Sequence, residues 1–132
     1  MSDKELMELA VAARKQAYAP YSGFFVGAAL LGKSGRVYTG CNVENASYTP
    51  TNCAERTAVF KAVSEGEREF SAIAVVGGKG ESLSELCAPC GVCRQVMSEF
   101  CNGQFEILLY DGKNVKKLTL DDLLPERFVL HD

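Results

Sequence analysis

With 132 residues, 47% of them hydrophobic and 23% charged, the chain can bury an ordinary globular core, and we expect residues 1–132 to form a single domain. The formal net charge of −3 argues against binding to a nucleic acid polymer, and no apolar run approaches the ~18 residues of a membrane span. We therefore expect no membrane partner, and we expect a cytoplasmic location because the first residues lack the layout of a secretory or mitochondrial signal.

Periodicity and turn signals predict that helices and strands alternate along the chain. Apolar residues at helical spacing follow a capping box formed by Ser2 and Glu5, and we expect Pro20 to end this first helix. Later segments alternate between short apolar runs, typical of strands, and stretches with helical spacing. In chain order the predicted elements are a helix at 3–19, strands at 24–31 and 36–42, a helix from Cys53 to Gly66, a strand at 70–78, a helix from near Cys90, strands at 105–110 and 115–120, and a short helix or turn at 121–128.

This order of elements predicts an α/β fold. Helices placed between strands imply a mixed sheet that is covered on its faces, and strand-helix-strand connections are right-handed. We therefore expect a three-layer α/β/α sandwich around a mixed five-stranded sheet, with the second and third helices adjacent on one face. That arrangement brings Cys53, Cys90 and Cys93 to the same side of the sheet.

Three of the six cysteines have the spacing of a metal site. Clustered cysteines in a reducing compartment more often bind metal or take part in catalysis than form disulfides. Cys90 and Cys93 lie in the first turn of a predicted helix and can reach one ion, and Cys53 comes from the start of another helix. Three protein ligands would leave the fourth zinc position open for water, and two helix N-termini would stabilise the thiolates.

Charged neighbours of these cysteines suit hydrolytic chemistry. Three thiolates and Zn²⁺ sum to −1, so compensating positive charge is needed, and Arg56 and Arg94 are the available donors to sulfur. Glu55 can carry a proton from water to a leaving group. The only histidine, His131, lies next to the C-terminus, and we interpret it as a solvated tail residue.

The residues alone leave three classes of function open. The first is the metal hydrolase, the second is a structural zinc module with Cys87 as the fourth ligand, and the third is a dithiol redox protein built on the sequence CGVC. Glu55 is unexplained in the second and third classes. Taken singly, these residues also have simpler explanations. Arg94 is explained equally well as a surface charge, Phe24 as a core aromatic residue, and Asn42 as a residue that shapes a loop.

The metal motif also carries a resemblance to a known family. The sequences CAE at 53–55 and PCGVC at 89–93 resemble the signature of the zinc-dependent nucleoside deaminases. The similarity extends through PYSGFFVGAALL, GCNVENASY and LLPERF, and over nearly its whole length the chain resembles the small, homotetrameric bacterial cytidine deaminases. The resemblance implies that Cys53, Cys90 and Cys93 bind one zinc ion per chain and that Glu55 is the proton shuttle. Pro89 matches the proline before the first ligand of the pair, which favours Cys90 over Cys87.

The resemblance further implies a substrate and an assembly. It implies a hydrolase of a C–N bond in a cyclic amidine that converts cytidine and 2′-deoxycytidine to uridine and 2′-deoxyuridine plus ammonia, as in pyrimidine salvage. Asn42 and Glu44 would hold the ribose hydroxyls, Phe24 would pack on the pyrimidine, and the backbone around Ala54 would read its edge. Phe128 would enter the site of a neighbouring subunit in a homotetramer.

A related deaminase that acts on a nucleoside antibiotic such as blasticidin S, or on a nucleotide, is the alternative within this class. A nucleotide is disfavoured because the chain has no glycine-rich phosphate loop and the carboxylate of Glu44 would repel a phosphate. The sequence does not rank cytidine against deoxycytidine.

Overall fold

The computed structural model describes residues 1–130, so the interpretation of His131 lies outside the described residues. Its helices and strands follow the predicted order. They are α1 (Asp3–Arg14), β1 (Phe24–Gly32), β2 (Val37–Cys41), α2 (Ala54–Ser64), β3 (Phe70–Lys79), α3 (Gly91–Phe100), β4 (Glu106–Tyr110), β5 (Val115–Thr119) and α4 (Leu120–Leu123). None of the helices in this part of the chain has the length and apolar character needed to cross a membrane.

The five strands form one mixed sheet in the order β2-β1-β3-β4-β5. Three of the strand pairs are antiparallel, and only β3 and β4 run parallel. A parallel pair needs a crossover connection, and α3 lies in the segment that makes it. The mixed five-stranded sheet predicted from the sequence is therefore confirmed.

Two hydrophobic cores lie on the opposite faces of this sheet. Successive side chains of a strand point to opposite faces, and β3 follows this rule. Ile73 and Val75 belong to the core that includes residues of α2 and α3, whereas Ala74 and Val76 belong to the core that includes residues of α1. The three-layer arrangement is confirmed, with α2 and α3 together on one face.

Two glycines allow helices to approach the sheet closely. A Cβ added at Gly27 would lie 2.1 Å from the carbonyl oxygen of Ala10 in α1, and one added at Gly40 would lie 2.5 Å from the carbonyl oxygen of Ala54 in α2. No side chain fits at those distances. The close approach at Gly40 sets the first turn of α2, which carries the candidate catalytic residues, directly against β2.

The first helix is shorter than predicted. It begins with the expected capping box but ends at Arg14, well before Pro20. The cause is a bridge between segments distant in sequence, in which the Tyr18 amide donates to the Asn42 carbonyl at 2.9 Å and the Glu44 amide donates to the Tyr18 carbonyl at 2.8 Å. These bonds hold the chain extended after the helix and place the segment that leads to β1 beside Glu44.

Candidate functional site

Two helix starts bring three sulfur atoms together. Cys53 is the N-cap residue of α2, Cys90 is the N-cap residue of α3, and Cys93 lies in the first turn of α3. The Sγ atoms of Cys53 and Cys90 are 3.8 Å apart, those of Cys90 and Cys93 are 3.3 Å apart, and all three lie within 4.8 Å of one another. Tetrahedral zinc with Zn–S bonds of about 2.3 Å sets its sulfur ligands about 3.8 Å apart. The donor set therefore fits a zinc ion with three protein ligands.

The surroundings of Cys53 favour its thiolate. A hydrogen bond from Cys93 and the nearby guanidinium of Arg56 lower the pKa of Cys53 to about 5. The Arg56 Nη2 lies 3.3 Å from the Cys53 Sγ. The interaction with Cys53 raises the pKa of Cys93, and burial raises it further. The buried Nε of Arg56 has no acceptor among the described residues, which leaves the guanidinium a donor for further thiolate charge.

Glu55 is a buried acid beside these sulfurs. Its side chain lies in the first turn of α2 and the residue is only 4% exposed. Burial raises the pKa of Glu55 to about 7, and the charge of Cys53 acts in the same direction. A carboxyl group with a pKa near the working pH can both accept and donate protons, which is the requirement for a general acid and base.

Two of the clustered thiols, Cys53 and Cys90, line a cavity of about 280 Å³ together with the carboxyl group of Glu55. Its lining combines aromatic and aliphatic side chains with amide, carboxyl and thiol groups: Ser22, Phe24, Val26, Asn42, Glu44, Thr51, Asn52, Cys53, Ala54, Glu55, Cys87, Ala88 and Cys90. An adjoining concavity of about 360 Å³ shares Ser22, Glu44 and Thr51 with it. An apolar cavity with a few polar groups is typical of a small-molecule site. A groove of about 510 Å³ between α1 and the β4–β5 hairpin contains none of the residues expected at the site.

Asn42 joins the wall of this cavity to strand β1. Its Oδ1 accepts a hydrogen bond from the Val26 amide at 2.9 Å, and its Nδ2 donates one to the Phe24 carbonyl at 2.8 Å. The residue is 9% exposed. Because an amide group offers two donors and two acceptor positions, Asn42 keeps one of each for a ligand. It is a structural residue and a candidate binding residue at once.

Glu44 is held in place by a residue that the sequence analysis did not single out. Its Oε1 accepts hydrogen bonds from the amides of Tyr21 and Ser22, and its Oε2 accepts one from the Ser22 hydroxyl. The Ser22 hydroxyl is the main cause of a lowered pKa at Glu44. The only signal for Ser22 in the sequence was its position in PYSG, inside the matched stretch.

Arg94 has a different contact from the expected one. Its Nε donates to the carbonyl of Pro89 at 2.7 Å, and its Nη1 donates to the carbonyl of Leu123 at 2.6 Å. Both acceptors are backbone oxygens rather than sulfur. Because Pro89 precedes Cys90, Arg94 ties the loop that carries this cysteine to α4, while Arg56 remains the guanidinium in contact with sulfur.

Cys87 lines the cavity without joining the sulfur cluster. Burial, with a smaller contribution from Glu55, raises the pKa of Cys87 to about 12, which keeps it a neutral thiol. A fourth zinc ligand would have to lie within reach of the same ion as the three clustered sulfurs, and the Cys87 thiol is not one of that cluster. The geometry therefore disfavours the structural zinc module in which Cys87 completes the coordination.

Phe128 lies away from the cavity of its own chain. It is 69% exposed and lines, with Val129 and Leu130, a concavity beside the outer side of α3. In contrast, Phe24 and Ala54 line the cavity, as expected for residues that contact a substrate. A role for Phe128 in a site would thus need a second copy of the chain.

Comparisons with known proteins connect this geometry to a family. Residues 1–108 match the family model described as the cytidine and deoxycytidylate deaminase zinc-binding region. The chain is 50% identical to a cytidine deaminase of Sporosarcina psychrophila, in an alignment that covers 100% of this chain and 95% of that protein. A crystal structure of cytidine deaminase from Burkholderia pseudomallei is similar with a TM-score of 0.89 and 50% identity, covering 97% of this chain and 100% of that one. The blasticidin-S deaminase of Bacillus cereus is 30% identical over 96% of this chain and 91% of that protein.

Proposed function

We propose, from the premise that this chain belongs to the family of cytidine and deoxycytidylate deaminases, that it hydrolyses cytidine and 2′-deoxycytidine to uridine and 2′-deoxyuridine plus ammonia. The observation that carries the proposal is a cluster of three sulfurs, two of which line one cavity together with the buried Glu55. Identity of 50% to a cytidine deaminase, against 30% to a blasticidin-S deaminase, favours the nucleoside over the antibiotic. The reaction suits pyrimidine salvage.

The cluster of Cys53, Cys90 and Cys93 fits one zinc ion per chain, and we propose that these sulfurs are its ligands. When bound, zinc supplies the Lewis acidity that makes water a nucleophile near neutral pH. The contact of Arg56 with Cys53 reduces the excess negative charge of three thiolates.

Glu55 then moves the protons of the reaction. It accepts a proton from the water that attacks the amino-bearing carbon, and it donates that proton to the ring nitrogen. It transfers the second proton of the water to the departing amino group, which leaves as ammonia. The carboxylate ends the cycle as it began, so one buried side chain serves both directions of transfer.

The remaining lining residues orient the nucleoside. Phe24 packs on the pyrimidine, and the backbone at Ala54 reads its edge. Asn42 and Glu44 bind ribose hydroxyls through their free donor and acceptor positions. The negative charge of Glu44 beside the sugar favours a nucleoside over a nucleotide.

A homotetramer with shared sites completes the proposal. The cavity is open to solvent in the single chain, while exclusion of water strengthens electrostatic stabilisation of a transition state. The exposed Phe128 is suited to cover the site of a neighbouring chain. A closed dimer of dimers is the assembly that two-fold contacts would give.

Mixing variants tests this sharing. Phe128→Ala should raise KM for cytidine without removing zinc. When Phe128→Ala and Glu55→Gln chains are dissociated and reassembled together, some sites should carry both intact residues and regain activity. An active monomer in ultracentrifugation, or no recovery despite proven exchange of subunits, would rule out shared sites.

The fold and the cysteines support two further proposals, on the number of domains and on the cellular location. The single sheet, with helices packed on both of its faces, supports one domain over residues 1–132. Six free cysteines, three of them needed as thiolates, suit the reducing cytoplasm.

Zinc content and nucleoside assays together test the proposed function. Purified protein should contain one zinc per chain and should deaminate cytidine and deoxycytidine in an ultraviolet assay, with CMP and blasticidin S turned over poorly. Full activity without metal would overturn the proposal, as would a fully metallated protein inert on every pyrimidine nucleoside.

A further inference from the structure

Ser22 lies between two residues that we assign to the substrate, although its own side chain is exposed. Its hydroxyl donates to the Glu44 Oε2 at 2.5 Å and accepts from the Phe24 amide at 3.0 Å. We propose that Ser22 is a positioning residue of the reaction, and this inference rests on the proposed function. Ser22 fixes the carboxylate of Glu44, which binds the sugar, relative to the ring of Phe24, which packs on the base.

The hydrogen bonds of Glu44 show what Ser22 controls. A carboxylate offers about four acceptor positions. Two at Oε1 are taken by the amides of Tyr21 and Ser22, at 3.0 and 3.1 Å, and one at Oε2 is taken by the Ser22 hydroxyl. A single position at Oε2 is left for a substrate hydroxyl. The direction of that position is set by the Ser22 hydroxyl, because both bonds share one oxygen atom.

The second bond of the hydroxyl extends this control to the base. The Phe24 amide donates to Ser22, while the Phe24 carbonyl accepts from Asn42. The backbone at Phe24 is therefore held from both sides by residues of the sugar end of the cavity. Ser22 and Glu44 also line both adjoining concavities, which places them at the junction between base and sugar.

The chain contains a matched arrangement away from the site. Ser34 donates its hydroxyl to the Glu67 carboxylate at 2.5 Å, and that hydroxyl accepts from the amide of Arg36, two residues on. Ser22 makes the same pair of bonds with Glu44 and Phe24. Ser34→Ala therefore removes an equivalent set of contacts at the β1–β2 turn, and it controls for any general effect on stability.

The experiment compares Ser22→Ala, Ser22→Thr, Ser34→Ala and Glu44→Gln in the zinc-loaded protein. We expect Ser22→Ala to raise KM for cytidine about tenfold with kcat within about threefold, the size expected for losing a hydrogen bond to a charged group. Ser22→Thr keeps the hydroxyl and should restore KM. Ser34→Ala should leave KM unchanged.

A double-variant cycle separates positioning from simple structural support. In a Glu44→Gln background, Ser22→Ala should raise KM less than about threefold, because the carboxylate through which it acts is gone. An unchanged KM in Ser22→Ala, or an effect of full size in the Glu44→Gln background, would overturn the inference about Ser22. An unchanged KM in Glu44→Gln itself would also overturn the inference, because Glu44 would then have no role in binding the sugar. Loss of the proposed function would instead be seen as a wild-type protein that does not deaminate cytidine.

Discussion

Replacing Glu55 with glutamine removes a buried ionisable group from the site. The side chain keeps its size, so the cavity and the sulfur cluster should persist and zinc should be retained. Turnover of cytidine should fall by about 10²- to 10⁴-fold, the usual contribution of a general acid and base. The loss is expected at or above the upper end because one residue serves both proton transfers.

The same substitution should stabilise the protein after zinc has been removed by a chelator. Burial raises the pKa of Glu55 from its ordinary value of 4.5 to about 7. The folded chain thus binds this proton more tightly than the unfolded chain, so the associated stability is present below pH 4.5 and is lost as the pH rises through 7. The difference corresponds to about 3 kcal/mol, which Glu55→Gln should recover at pH 8 but not at pH 4.

Steady-state kinetics, zinc analysis and urea unfolding at the two pH values measure these effects. Glu65→Gln, at the exposed C-cap of the same helix, is the matched control and should leave turnover and zinc content unchanged. The reasoning fails if Glu55→Gln keeps more than about a tenth of wild-type turnover, since the acid would then only favour the helix start. A variant no more stable than the wild type at pH 8 would refute the argument from burial.

Four further substitutions test neighbouring residues. Cys90→Ala should abolish zinc binding and activity while Cys87→Ala leaves both nearly intact, as measured by metal analysis and turnover; the opposite result would shift the site by three residues. Arg56→Gln should raise the pKa of Cys53, so a chromophoric chelator should remove zinc at a higher pH than from the wild type; release at the same pH would exclude charge compensation by Arg56. Arg94→Met should lower the free energy of unfolding by about 1.5–3 kcal/mol, because its two carbonyl acceptors lose a charged donor, and an unchanged urea midpoint would contradict that role.

Local signals predicted where the important helices begin but not where every helix ends. The starts of α2 and α3 at Cys53 and Cys90 follow from residues within one turn, so periodicity was sufficient. The end of α1 depends on the pairing of Tyr18 with the segment around Val43, a contact across 25 residues that periodicity does not contain. Tertiary pairing therefore overrode helical spacing after Arg14.

The candidate site also has features that the sequence predicted and contacts that it did not. The cysteine spacing and the adjacent Glu55 are short-range patterns, and the sequence placed them at one site. The contacts of Ser22 and Arg94 are not short-range, because Ser22 reaches Glu44 across 22 residues and Arg94 reaches Leu123 across 29. A serine in a turn or an arginine on a helix has no distinguishing neighbour in the sequence, so both roles required the fold.

The two helices that start at the sulfur cluster differ in their N-terminal capping, and this difference bears on the chemistry of the site. The Cys90 Sγ accepts a bond from the Cys93 amide, as an N-cap side chain does, whereas the Cys53 side chain makes no capping bond to α2. An uncapped start leaves helix amides without partners and gives up about 1 kcal/mol of stability relative to serine. A serine at that position would cap the helix but supply no thiolate. The start of α2 is held against β2 by the close approach at Gly40. Its missing cap therefore lowers local stability, while the same arrangement places Cys53 and Glu55 where the reaction needs them.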